Sequence, residues 1–552
     1  TIPESVERIE NNAFFCCYGL ENADIPQNVT DIGADAFKFC SSLKKINIPQ
    51  SVENIGDCAF ANCTSLTKLV VPGSVTSISE YSFSNIGATT AGPVGGDYDY
   101  QYGWKRTIPR YAFSRMTNLK NITLGKVRTI GDYACYYCTN LQSAAIEDGV
   151  ESIGYAAFSY ATNLRKVEMG SNVESIGDCA FQQDSKLDNV IIPDATTTIG
   201  SYAFENCKEL SNVRFGTGLN WIGSYAFYND SKLNNIEIPE GTTGIGNYAF
   251  ANCRFLTKLI VPGSVTSISE YSFSNIGATT AGPIGGEYDY QYGWKKTMPG
   301  YAFSRMNNLK KVRVGGGIKT INNHICYSCT KLENVILEDS VENVGYAAFQ
   351  NCSKLASVDF GTGMKWIDRY AFSGDSELNN VEIPEGTTGI GNFAFADCTS
   401  LTKLTVPGTV TNISEYSFSD IGVTTAGPAG GEYDYQYGWT TNIPDYAFSR
   451  ITKLTDIVIT DTVESIGNYI FRDGTKEIHF EGPAATIGSS AFYGSTVTAY
   501  YLIYEQSWTE NNMKNYGGSV TWKSYGELGN IQELSIKQMP LKISYEIGEE
   551  LN

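Results

Sequence analysis

A phenylalanine, usually preceded by alanine or serine, returns along this chain at a fixed distance, and that period limits the fold more than any other feature. It stands at Phe14, Phe37, Phe60 and Phe83, at Phe113, and at Phe158, Phe181, Phe204, Phe227, Phe250 and Phe273. It continues at Phe303, at Phe349, Phe372, Phe395 and Phe418, and at Phe448, Phe471 and Phe492, with Cys135 and Cys326 filling the same slot. The spacing is 23 residues almost throughout, widens to 30 three times, and defines 21 units in a chain of 552 residues. A unit this short cannot cover its own apolar face, so the units must stack on one another as a solenoid. The repeat overrides the usual length prior of roughly three or four domains.

Each part of a unit has a physical role. In the unit Leu43-x-x-Ile46-x-Ile48-Pro49-x-Ser51-Val52-x-x-Ile55-Gly56-x-x-Ala59-Phe60-x-x-Cys63, the first stretch alternates at period two, which predicts a short strand with one face inward. Pro49 ends it, because proline cannot donate to a ladder. Val52 to Gly56 reads as a second extended piece closed by a glycine turn. The spacing of three from Phe60 to Cys63 and on to Leu66 predicts a tight helical or 3-10 turn.

This pattern closely resembles the BspA-like (Treponema-type) leucine-rich repeat family of bacterial surface proteins, over about residues 1–500. The resemblance implies an α/β fold: a right-handed leucine-rich-repeat solenoid whose short parallel strands line one face, joined by short helical or 3-10 turns. It also implies a secreted or surface-attached protein of adhesion or recognition. A leucine-rich fold does not by itself fix a ligand. The expected organisation is a solenoid over 1–495, with longer units at 84–113, 274–303 and 419–448, then a closing cap over 496–525. Residues 526–552 read as a linker and the truncated start of an immunoglobulin-like domain, from the resemblance of Pro540 to Leu551 to its opening strands. The chain starts mid-repeat, so a natural N-terminus, with any secretion signal, is expected to lie upstream.

Most of the 14 cysteines follow the same period. Nine sit three residues after the phenylalanine slot, among them Cys17, Cys40, Cys63 and Cys138. Periodic placement makes them small core residues. Reduced thiols are the favoured reading, with stacked Cys17, Cys40 and Cys63 the place where disulfides could form.

The three longer units carry nearly the same text, Gly-Pro-x-Gly-Gly followed by alternating aromatics. These are Tyr98, Tyr100, Tyr102 and Trp104, then Tyr288, Tyr290, Tyr292 and Trp294, then Tyr433, Tyr435, Tyr437 and Trp439. The glycine-rich part reads as a loop and the aromatic part as the strand of its unit. Register decides the role, because a slip of one residue swaps the faces. In one register the rings form a bulky core layer. In the other they form an exposed platform for sugar rings or protein, used three times.

The outward strand positions are rich in Lys and Asn, with Lys45, Lys68, Lys166, Arg214, Lys258, Arg313 and Lys403 on the side expected to be concave. A net charge of −19 gives no electrostatic reason to bind nucleic acid, and no apolar run is long enough to span a membrane. The only histidines are His324 and His479, and neither completes a triad spacing. Each longer unit supplies only a carboxylate pair, such as Asp97 and Asp99, too few for a calcium loop. No enzyme activity, metal or cofactor is therefore expected. The expected partner is an extracellular protein, with a glycan as the alternative, and the chain is expected to be monomeric. A purely structural spacer is the third reading.

Overall fold

A computed structural model describes residues 2–526. The immunoglobulin-like stretch expected over 526–552, apart from Gly526, lies outside the described residues. The chain divides into two compact units, Thr1–Ala278 with Asp289–Gly293, and Thr279–Tyr288 with Trp294–Asn552. Each is a stack of coils, and each regular coil contributes one short strand to a main parallel sheet and a two-residue strand to a narrow second sheet that is interrupted at every longer unit.

In the first unit, Asn22–Asp24, Lys45–Asn47 and Lys68–Val71 pair in parallel and in register, Asn22 against Lys45 and Lys45 against Lys68. In the second, Lys311–Val314 and Asn334–Leu337 pair in the same way. Alternate residues of these strands are buried, so Ile46 and Leu69 point inward and Lys45 and Lys68 outward. The slot phenylalanines form files of stacked rings inside the coils. Phe158, Phe181, Phe204, Phe227, Phe250 and Phe273 follow one another at centroid spacings of 5.1 to 5.6 Å in the first unit. Phe349, Phe372, Phe395 and Phe418 form the corresponding file in the second, at 5.2 to 5.7 Å. Each ring buries against the next coil what its own coil cannot cover.

The expected helical turns are absent: among the described residues there is no α- or 3-10 helix, and the fold is a β-solenoid. The reason is visible around Phe37. The N–H groups of Asp35, Phe37 and Phe39 donate to Asp57, Ala59 and Ala61 of the next coil at 2.8, 2.7 and 2.9 Å. The intervening Ala36, Lys38 and Cys40 reach back within their own turn, to Gly33, Asp35 and Phe37. A helix needs every N–H to point along one axis. Here alternate amides leave for the neighbour, which requires left-handed backbone at Asp35 (φ 55°) and Phe39 (φ 62°). Such a conformation costs roughly 1–2 kcal/mol per non-glycine residue, offset by about 1 kcal/mol for each hydrogen bond gained. No helix among the described residues is long and apolar enough to cross a membrane.

The stack ends in its longest strands. Thr475–Phe480, Thr496–Leu502 and Ser519–Tyr525 pair in parallel, and the rings of Phe480, Trp508 and Trp522 pack together beneath them.

Candidate recognition surface on the sheet face

The longer units resolve the question of register. Tyr100 and Tyr102 stand opposite Leu69 and Val71, on the core side, and are 0% and 1% exposed. Trp104 is buried, as are Tyr290, Tyr292 and Trp294 and Tyr435, Tyr437 and Trp439. The exposed aromatic platform is thus ruled out for these nine rings, because they replace aliphatic core residues. The Tyr100 ring fills the gap between Phe83 and Phe113, at 5.4 and 5.0 Å. The Tyr102 hydroxyl donates to Gly125 O at 3.0 Å and accepts from Gly125 N at 2.8 Å, and Trp104 Nε1 donates to Val75 O at 2.7 Å. Tyr98, Tyr288 and Tyr433 are half-buried. Each lies flat on its own loop: a Cβ added at Gly92 would come within 2.4 Å of the Tyr98 ring.

The glycine-rich part is more than a loop. Thr90–Pro93 is itself a strand, and Tyr100–Tyr102 inserts between it and Lys68–Val71. The chain doubles back through 94–99, with Gly95 at φ 99°. Asp99 fixes that return. Its Oδ2 accepts from Thr89 N and Oγ1, both at 2.8 Å, and from Thr90 N at 3.2 Å. Burial alone would raise its pKa, but these donations and the nearby Lys68 hold it below the ordinary carboxylate value.

The sheet face carries the most regular surface chemistry. In the first unit the first outward position of successive regular coils reads Asn22, Lys45, Lys68, Asn121, Ser143, Lys166, Asn189, Asn212, Asn235 and Lys258. In the second it reads Lys311, Asn334, Ser357, Asn380 and Lys403. No carboxylate occurs among these residues although acids outnumber bases 59 to 40 in the chain; beyond Lys403 the column of the second unit continues through Thr425 to Asp456 and Glu477. Lys45, Lys68, Lys166, Lys258 and Lys403 are exposed, as is Arg214 one column across. Arg313 is half-buried and donates from Nε to Glu338 at 2.7 Å. Beside the first longer unit, a groove of about 780 Å³ is lined by Val70, Pro72, Val94, Trp104, Lys105 and Arg106 among others.

Two arrangements escaped the sequence. Asp184, Asp230 and Asp375 occupy the cysteine slot and are fully buried, each accepting a backbone N–H at 2.8 Å through Oδ1. Their offset of three from Phe181, Phe227 and Phe372 would have marked them. On the outer sheet face, Asp456, Glu477 and His479 offer ligand atoms within 4.8 Å of one another. The unit between Asp456 and Glu477 is shortened, so their shared column shows only once the strands are paired. The cysteines are all free. Buried slot thiols donate to the carbonyl of the phenylalanine slot one coil back, as Cys63 does to Phe37 O at 3.1 Å. Burial pushes the Cys63 thiol up to about 12.

The sequence matches a family described as BspA type leucine rich repeat region, over residues 1–90, 105–194, 175–281, 296–424 and 441–521. No curated protein matches the chain. Among solved structures, a leucine-rich repeat protein from Bacteroides ovatus is 24% identical over 78% of this chain and 87% of its own, with a TM-score of 0.38. A leucine rich cell surface protein from Faecalibacterium prausnitzii is 25% identical over 69% and 89%, with a TM-score of 0.34. The pneumococcal vaccine antigen PcpA is 15% identical over 83% and 92%, with a TM-score of 0.31.

Proposed function

The chain belongs to the BspA-type leucine-rich repeat family, and from that premise we propose that it is a non-enzymatic recognition protein of the bacterial surface. It binds an extracellular protein through the outward column of its sheet. The observation that carries this reading is the column itself: Lys, Asn and Ser recur at one position of the regular coils from Asn22 to Lys258 and from Lys311 to Lys403 of an acidic chain, and the first carboxylates of that column are Asp456 and Glu477. A solvated face free of selection for binding would sample the chain's own acidic composition. Amide and ammonium groups repeated at strand spacing, about 4.8 Å, suit an extended partner that presents carbonyls and carboxylates. Such a surface gives specificity and a fast encounter more than raw affinity.

Burial of nine of the twelve block rings counts against the glycan alternative, which keeps only the half-buried Tyr98, Tyr288 and Tyr433 as stacking faces in those blocks. The distinguishing experiment presents the chain to panels of extracellular-matrix proteins and of glycans, alongside a variant with Lys45, Lys68, Lys166 and Lys258 changed to Glu. Capture of a matrix protein, weakened at least about tenfold in the variant, supports the proposal. Glycan capture that survives the change favours the alternative, and silence on both panels favours a spacer.

A further inference from the structure

We propose that Asp456, Glu477 and His479 form a binding site for a divalent transition-metal ion of the zinc class on the outer face of the sheet. Asp456 and Glu477 are direct partners on the parallel strands Asp456–Ile459 and Thr475–Phe480. His479 lies two residues beyond Glu477 and therefore on the same face. One ligand atom from each residue lies within 4.8 Å of the other two. Around an ion with bonds of about 2.0–2.2 Å, ligand atoms stand up to about 4 Å apart. A small turn of the exposed Glu477 side chain closes the difference.

A second feature separates this place from an ordinary acidic patch. Carboxylates directly opposite one another on paired strands repel. Elsewhere the column is filled by Lys, Asn, Ser and Thr, yet here two acids adjoin. Thr455 Oγ1 donates to Asp456 Oδ2 at 2.7 Å, which leaves Oδ1 free to ligate. The His479 ring is stacked on Tyr500 at 4.7 Å and 8° and flanked by the edge of Tyr525 at 6.3 Å. That packing fixes the imidazole plane before any ion arrives. One imidazole with two carboxylates suits zinc and its neighbours, whereas calcium and magnesium take oxygen alone. Three protein ligands leave a fourth position open to water or to a side chain of a bound partner.

Two histidines make the test direct. Zinc is titrated into the chain bearing Cys16→Ser, Cys17→Ser and Cys58→Ser, which removes the three thiols that are not buried. Calorimetry gives the affinity, and proton magnetic resonance follows both imidazoles. The expected result is one zinc ion bound, with His479 signals shifted and His324 signals unmoved. Glu477→Gln, an exposed change that leaves the core intact, weakens binding at least about tenfold, and His479→Gln does the same. Magnesium leaves both imidazoles in place. Zinc that shifts only His324, shifts neither ring, or binds equally well after both substitutions overturns the proposal.

Discussion

Asp184, Asp230 and Asp375 sit where neighbouring coils place a thiol, and the difference is one of charge. Desolvation raises each carboxyl well above its ordinary value, and the single backbone N–H received by Oδ1 offsets only part of that. Between the unfolded value, about 4, and the raised folded value, the native chain keeps a proton that the unfolded chain has released. Stability therefore falls as pH rises through that window, by up to about 1.4 kcal/mol per pH unit for each group, and is independent of it below about pH 4. Asp230→Asn is expected to flatten the fall, which urea unfolding between pH 4 and 8 would measure; an unchanged slope would mean the carboxyl is ionised in the fold. The Tyr102 hydroxyl makes a comparable point about polar atoms inside the stack. Tyr102→Phe leaves Gly125 N without its acceptor and should cost about 1–3 kcal/mol in the same measurement.

At the scale of the element, the turn is the part the sequence concealed. Strand positions were legible, because a period of two leaves no choice of face once Ile46 and Ile48 are in place. A spacing of three, as from Phe60 to Cys63, satisfies both a helix and a chain of tight turns. What decides between them is the donation of Phe60 N to Ser82 O in the next coil, and no single unit displays that. The aromatic blocks were undecidable for a related reason, since only the gap between Phe83 and Phe113 assigns Tyr100 to the inside. Buried Tyr and Trp repeat identically across the blocks, while the surface changes: Lys105 and Arg106 become Thr440 and Thr441. That contrast is what a structural role produces. Trp104→Ala should accordingly cost about 3–5 kcal/mol, read by thermal unfolding, whereas loss of partner binding with unchanged stability would restore a contact role. The left-handed turn positions make the opposite kind of prediction. Ser328, half-buried at φ 56°, should gain up to about 1 kcal/mol as glycine and lose stability as valine.

Across the whole molecule, stability is a sum over neighbouring coils, so unfolding should be gradual and should start where a coil lacks a partner. Cutting the chain after Gly494 removes Thr496–Leu502 and Ser519–Tyr525 and bares the edge of Thr475–Phe480. The shortened chain is expected to self-associate, visible as high-mass species in size-exclusion chromatography. The charge of −19 favours solubility of the chain, and against it the lysine column is the surface we propose for a partner that presents carboxylates. Protection of lysines from acetylation in complex with the matrix protein captured on the panel tests that most directly. Lys45, Lys68, Lys166, Lys258 and Lys403 should become unreactive, while Lys319 and Lys365, beside the short second strands, react as before. Protection of the second set with the first still reactive would place recognition on another side of the coil and contradict the account.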